Sequence, residues 1–136
     1  MRLTSLADYA VVMMAAAARH PAGAQLNATV LAEETGVPLP TAQKLTGRLA
    51  AAGLLQTARG TGGGFRLARQ APEISLADIV EAVEGPIVMT SCVDTQRHDC
   101  ALEGACQVRP HMGAVNGAIR GALAAVSLQT LATELR

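Results

Sequence analysis

Apolar residues at Leu6, Tyr9, Ala10, Met13, Met14 and Ala17 recur at i, i+3, i+4 and i+7. That is the spacing of one face of an α-helix. It predicts a first helix over Ser5–Arg19, with Thr4 or Ser5 to cap its start. His20-Pro21-Ala22-Gly23 breaks the pattern. A shorter helix is expected over Ala28–Thr35, opened by Asn27, with Val30 and Leu31 inward and Gly36 in the left-handed position that ends a helix. Val37-Pro38-Leu39-Pro40 reads as a tight turn, and a third helix runs from Thr41 to about Ala52 with Leu45 and Leu49 on its buried side. Helix, short turn, helix of these lengths is helix-turn-helix geometry.

The period then changes. Two short strand-like runs, Leu54–Arg59 and Phe65–Arg69, flank Gly60-Thr61-Gly62-Gly63-Gly64. They predict a β-hairpin, a wing behind the helix-turn-helix. Glycines at a hairpin tip supply the positive φ that such turns need. They do not match a nucleotide-phosphate loop, because no helix opens directly after them and no Lys-Ser/Thr pair follows. Ser75-Leu76-Ala77-Asp78 has the form of a capping box, with Asp in place of Glu. It starts a helix to Glu84 with Ile79, Val80 and Val83 inward.

A polar, broken stretch runs from Ile87 to Arg109. Pro110 then opens a helix, at the first turn where Pro is tolerated, with Val115, Ala118, Ile119, Ala122, Leu123 and Val126 on one side. Ser127 caps a short tail. The expected divisions are therefore 1–72, a winged helix-turn-helix; 73–109, a connecting helix and cysteine loop; and 110–136, a dimerisation helix and tail. The winged helix closes its own core, so the stripe on the late helix needs separate cover. A second subunit is the economical source, since Gly113, Gly117 and Gly121 would let helices approach closely; packing back on the first helix is the other, and the two are compatible.

Composition narrows the class. Half of the 136 residues are hydrophobic, yet Tyr9 and Phe65 are the only aromatics and there is no Trp. The core must come from Ala, Leu, Val, Ile and Met, which favours a mainly α protein with a small β-hairpin. Net charge is zero but unevenly placed: residues 1–70 hold seven Arg/Lys and three Asp/Glu (+4), and residues 71–136 hold four and eight (−4). Between Pro40 and Gln70 lie Lys44, Arg48, Arg59, Arg66 and Arg69 and no acidic residue. A local basic field over a helix-turn-helix fits double-stranded DNA on one face. Thr41, Gln43, Lys44 and Arg48, early in the third helix, are placed to face the major groove, Lys and Arg for guanine edges and Gln for adenine, while Thr41 could as well contact a phosphate or cap the helix. Arg59 and Arg66, flanking the wing tip, are placed for the minor groove or for phosphate.

No export signal is visible, and the apolar run Val11–Ala18 is only eight residues long, far from the roughly 18 of a membrane span. A cytoplasmic protein is expected, where clustered cysteines more often serve metal or redox chemistry than crosslinking. All three cysteines, Cys92, Cys100 and Cys106, fall within fifteen residues at C-x7-C-x5-C spacing. Thiolates suit zinc and iron–sulfur clusters. The close cysteine pair usual for zinc is missing, and the loose spacing would wrap a larger cofactor. Asp94, His98, Asp99 and Glu103 are further donors within the loop. A metal-free thiol switch stays open. An enzyme is not expected, since there is neither a Cys-x-x-Cys redox motif nor a Cys/His/Asp catalytic grouping.

The opening Met1-Arg2-Leu3-Thr4 with Asp8-Tyr9-Ala10-Val11, the wing Arg59-Gly60-Thr61-Gly62-Gly63-Gly64-Phe65-Arg66-Leu67, the helix start Ser75-Leu76-Ala77-Asp78-Ile79 and the cysteine triad together resemble the Rrf2 family of bacterial regulators, of IscR, NsrR and RirA type. The likeness spans nearly the whole chain. It implies a homodimeric winged-helix repressor of iron–sulfur assembly or iron-homeostasis genes, with one [2Fe–2S] or [4Fe–4S] cluster per subunit on Cys92, Cys100 and Cys106. The cysteine spacing is similar to that of the SUF-operon and iron-responsive members; a nitric-oxide sensor of the same family is the alternative. IscR-type members place a ligating His three residues after the third cysteine, where this chain has Arg109. The fourth ligand implied by the NsrR-type pattern is Asp8, from the partner subunit. His98, His111, water or a small thiol are the other options.

Overall fold

The computed structural model describes residues 2–58, 63–90, 93 and 107–133. The expectations for Arg59, the wing tip at 60–62, Cys92, His98, Cys100 and Cys106 fall outside the described residues.

Helix α1 spans Ser5–Arg19. Thr4 caps it, its hydroxyl oxygen accepting the Ala7 N–H at 3.1 Å. The same hydroxyl donates to the Glu84 carboxylate. Ala7, Ala10, Met13, Met14, Ala15, Ala16 and Ala17 are buried, a wider face than the six-residue stripe, because alanine is small enough for neighbours to close on two sides. Helix α2, Ala28–Thr35, is capped by Asn27, whose side chain accepts the Val30 N–H at 2.9 Å, and stops at Gly36 with φ 82°.

Helix α3 covers Leu39–Ala51, two residues earlier than expected. Pro40 falls in the first turn, where a missing N–H leaves no intrahelical bond unmade, so the Pro-Leu-Pro segment begins the helix instead of preceding it. Thr41 is consequently inside the first turn and does not cap it; no side chain does. Ala42, Leu45 and Leu49 face inward. Gly53, with φ 81°, turns the chain into β1, Leu55–Ala58, which pairs antiparallel with β2, Gly64–Leu67, in the register Leu55 to Leu67 and Thr57 to Phe65.

A third segment joins this hairpin: Leu26 and Phe65 exchange both backbone hydrogen bonds at 2.7 Å. The crossing is so close that a Cβ on Gly64 would lie 2.2 Å from the Leu26 carbonyl oxygen, and Gly64 itself has φ 122°. The wing is thereby sewn to the turn between α1 and α2.

Helix α4, Leu76–Glu84, has the expected capping box: Ser75 Oγ accepts the Asp78 N–H, and the Asp78 carboxylate accepts the Ser75 N–H. Helix α5 is Arg109–Ala124 and α6 is Leu128–Ala132, capped by Ser127. The α6 end returns to the core. Leu76 N–H donates to Val126 O and Leu128 N–H to Ile74 O, and Leu128 is fully buried. Met13, Met14, Leu31, Leu45, Leu49, Ile74, Ile79 and Leu128 are all 1% exposed or less and belong to one cluster around α1. The fold is mainly helical with a two-stranded antiparallel hairpin. Helix α5 differs from the rest: none of its residues is buried and Val115 is 44% exposed. Among the described residues its main packing partner within the chain is α4.

Replacing Gly64 by Ala should destabilise the chain by more than about 1 kcal/mol, the usual outcome when Ala is forced to positive φ. Urea denaturation measures it, and an unchanged midpoint would mean that the Leu26–Phe65 crossing is not maintained in solution.

Candidate nucleic-acid interface and cysteine segment

The burial of Ala42, Leu45 and Leu49 leaves Pro40, Gln43, Lys44, Gly47 and Ala51 exposed along α3. Gln43 and Lys44 are exposed and have no hydrogen-bonding or ionic partner among the described residues. Thr41 and Arg48 sit at the edge of this face and are half-buried. One nitrogen of Arg48, Nη1, donates to the Val83 carbonyl at 3.1 Å, tying α3 to the last turn of α4. Arg66 is exposed on β2 and donates to Gln56 Oε1 at 3.4 Å, directly across the hairpin.

Arg69 contributes less to the basic field than its charge implied. It donates to the Glu73 carbonyl and pairs with Asp78 at 3.3 Å. Burial raises the Asp78 pKa, but the Ser75 hydrogen bonds and the Arg69 guanidinium outweigh it and hold the carboxyl below its ordinary range. The free positive groups of this half are thus fewer than the count of basic residues indicated. A polar group on the turn before α2 also serves the wing: Gln25 Nε2 donates to the Gly63 carbonyl at 2.7 Å.

Asp8 lies in the first turn of α1, exposed, and its carboxylate has no hydrogen-bonding or ionic partner among the described residues. His111 is exposed in the first turn of α5. The described residues include no group of three or more His, Cys, Asp and Glu side chains that could hold a metal; the three cysteines are not among them. What is described is how the chain enters their segment. Asn116 of α5 grips residues 87–89 like a paired strand: its Nδ2 donates to Ile87 O at 2.8 Å and its Oδ1 accepts the Met89 N–H at 2.6 Å. Glu81 of α4 accepts the Ile87 N–H at 3.0 Å and binds Arg120 of α5 at 2.7 Å. Burial raises the Glu81 pKa, but the Arg120 and Ile87 hydrogen bonds prevail and lower it. Sequence reading missed this clamp. Its only signal was an Asn, a weak helix former, in the middle of an apolar stripe.

The chain's sequence matches the Rrf2 family, described as "Iron-dependent Transcriptional regulator", over residues 3–134. It is 32% identical over 131 residues to the HTH-type transcriptional regulator IscR of Photorhabdus laumondii, covering 96% of this chain and 79% of that one. It is 28% identical over 109 residues to the HTH-type transcriptional regulator NsrR of Shouchella clausii, covering 80% and 73%. In fold it resembles CymR, the global cysteine regulator of B. subtilis, with a TM-score of 0.74 at 21% identity over 98% and 99% of the two chains. No described helix is long and apolar enough to cross a membrane.

Asp78 and Glu81 both have folded-state pKa values below their unfolded ones. Their contribution to stability is complete above the ordinary carboxylate range and is lost as pH falls through the depressed values. Glu81→Gln should therefore lower stability at neutral pH and flatten the acid limb of the stability–pH curve. Thermal unfolding between pH 3 and 7 measures it; an unchanged acid limb would remove Glu81 from the account.

Proposed function

The chain belongs to the Rrf2 family of transcriptional regulators, and on that premise we propose that it is a homodimeric, operator-binding repressor whose DNA affinity follows the state of an iron–sulfur cluster. Genes of cluster assembly or iron homeostasis are the targets we propose for it. The observation that carries the DNA reading is the α3 face, where Gln43 and Lys44 stand exposed and unpaired over a buried Ala42–Leu45–Leu49 side. Gln suits adenine edges and Lys suits guanine edges in the major groove. Thr41, Arg66 and Arg59 then supply phosphate or minor-groove contacts. Arg48, whose Nη1 donates to the Val83 carbonyl, keeps its charge and its other N–H donors and is proposed to reach a guanine edge from the rim of the face.

The donor set fits a cluster. Cys92, Cys100 and Cys106 offer soft thiolates, and an unpaired Asp8 carboxylate on the partner subunit offers an exchangeable fourth ligand. When bound through these residues, the cluster would supply a crosslink within residues 92–106 that oxidation, nitric oxide or iron loss can undo.

The chain's own residues carry the change onward. Residues 87–89 are fixed to α5 by Asn116 and to α4 by Glu81. The C-terminal turn of α4 is fixed to α3 by Arg48. Strain on the cysteine segment therefore reaches the recognition helix through two short polar links, while the exposed apolar side of α5, with Val115 and Ile119, meets the second subunit. Any group that prefers one arrangement of such links must shift DNA affinity reciprocally, typically by about 1–3 kcal/mol or 5- to 150-fold.

Two outcomes test this reading. The triple substitution Cys92→Ala, Cys100→Ala, Cys106→Ala should abolish iron and sulfide in native mass spectra of oxygen-free protein, with the dimer retained. Full iron content in that variant would contradict the ligand assignment, and a colourless wild-type dimer that cannot be reconstituted would favour the thiol switch. Asn116→Ala should keep the iron and the dimer but pull the operator affinities of loaded and cluster-free protein together. A ratio equal to that of the wild type would mean that the signal does not pass through Asn116.

A further inference from the structure

Glycine weakens a helix interior because its backbone loses the most freedom on folding. Four of the described glycines of the DNA-binding half have a reason inside the fold. Gly23, Gly36 and Gly53 hold φ near +80°, and Gly64 combines φ 122° with the Leu26 crossing. Gly47 has neither reason. It lies in the interior of α3 without positive φ, and a Cβ built on it meets nothing within 4 Å. Nothing within the described chain asks for glycine there.

Its surroundings supply the reason. Gly47 is one helical turn beyond Gln43 and Lys44 on the same exposed face, and Ala51 continues that face. The face is polar and long-reaching in its first half and nearly bare in its second. A helix with its side chains is about 10–12 Å across, and the major groove is about 12 Å wide, so the fit leaves almost no slack. Shaving one position lets the backbone come closer by roughly a methyl radius at that point.

We infer that Gly47 is the point of closest approach between α3 and duplex DNA, a positioning residue that sets how deeply the helix sits and so brings Gln43 and Lys44 onto base edges. The inference rests on the DNA-binding reading of α3. It assigns the helix a seating along its middle, residues 43–47, instead of end-on contact through Thr41 alone.

The test uses the full-length chain, purified without oxygen, and a duplex operator recovered from a random pool with that chain. Gly47→Ala should raise the thermal midpoint by about 2–8 °C, through helix propensity, and weaken operator binding at least tenfold in fluorescence anisotropy. The opposite signs of the two effects separate a seating role from a folding role. Lys44→Ala should weaken binding and reduce the slope of log affinity against log salt by about 1, whereas Gly47→Ala removes no charge and should move the slope less. Gly47→Ala binding within twofold of wild type would overturn the inference while Lys44→Ala still upheld the DNA face. Loss of neither affinity would overturn the DNA face of α3 and the inference with it.

Discussion

The structure depends on the burial of an alanine-rich helix face. Along α1 the buried residues are five alanines and two methionines, and α2, α3, α4, α6 and β2 all pack on it. Alanine costs little helix propensity and lets neighbouring backbones come close. Methionine, unbranched and adaptable, fills what the alanines leave. Phe65 is the one aromatic in the buried cluster and Tyr9 packs against it, so along α1 the spacing is set mostly by the close fit of small and aliphatic groups. That fit sets where α3 and the wing stand relative to each other, because both lean on α1 and its turn.

From this base two kinds of attachment separate the rigid from the adjustable. Apolar burial holds α1 to α4, with Ile79 fully buried and Val83 largely so. Polar links on the rim hold what must respond: Arg48 to Val83, Glu81 to Arg120 and Ile87, Asn116 to Ile87 and Met89. Partly exposed hydrogen bonds contribute about 0.5–1.5 kcal/mol each, enough to define one arrangement and weak enough to be exchanged for another. Helix α5 takes part in this rim and not in the core, as its lack of buried residues shows.

The elements bounded by caps were the most legible in the sequence. Asn27 and Gly36 marked α2 to the residue, and Ser75 with Asp78 marked the start of α4, since a side chain that must satisfy a backbone N–H leaves a local trace. The start of α3 was misplaced by Pro40, which is a breaker in one context and a helix opener in the other; only the position of Pro38 outside the helix decides between them. The Leu26–Phe65 crossing left no trace beyond an apolar residue in a turn, because two backbone groups meet across 39 positions. The pairing of Arg69 was likewise hidden: a charge run reveals how many cations a segment carries, not which already faces a carboxylate, as Arg69 faces Asp78. Family likeness is what singles out the cysteine triad with Asp8 as the proposed ligands, where periodicity alone left several donors open.

The central claim is that one operator is read at two strengths by one chain. Its most direct test is a pair of anisotropy titrations at fixed salt, with the same selected duplex and oxygen-free protein before and after removal of its iron. The account predicts affinities that differ by about 5- to 150-fold, the range of a typical coupling between two sites. Superimposable titrations, from protein shown to carry and then to lose its iron, would contradict it.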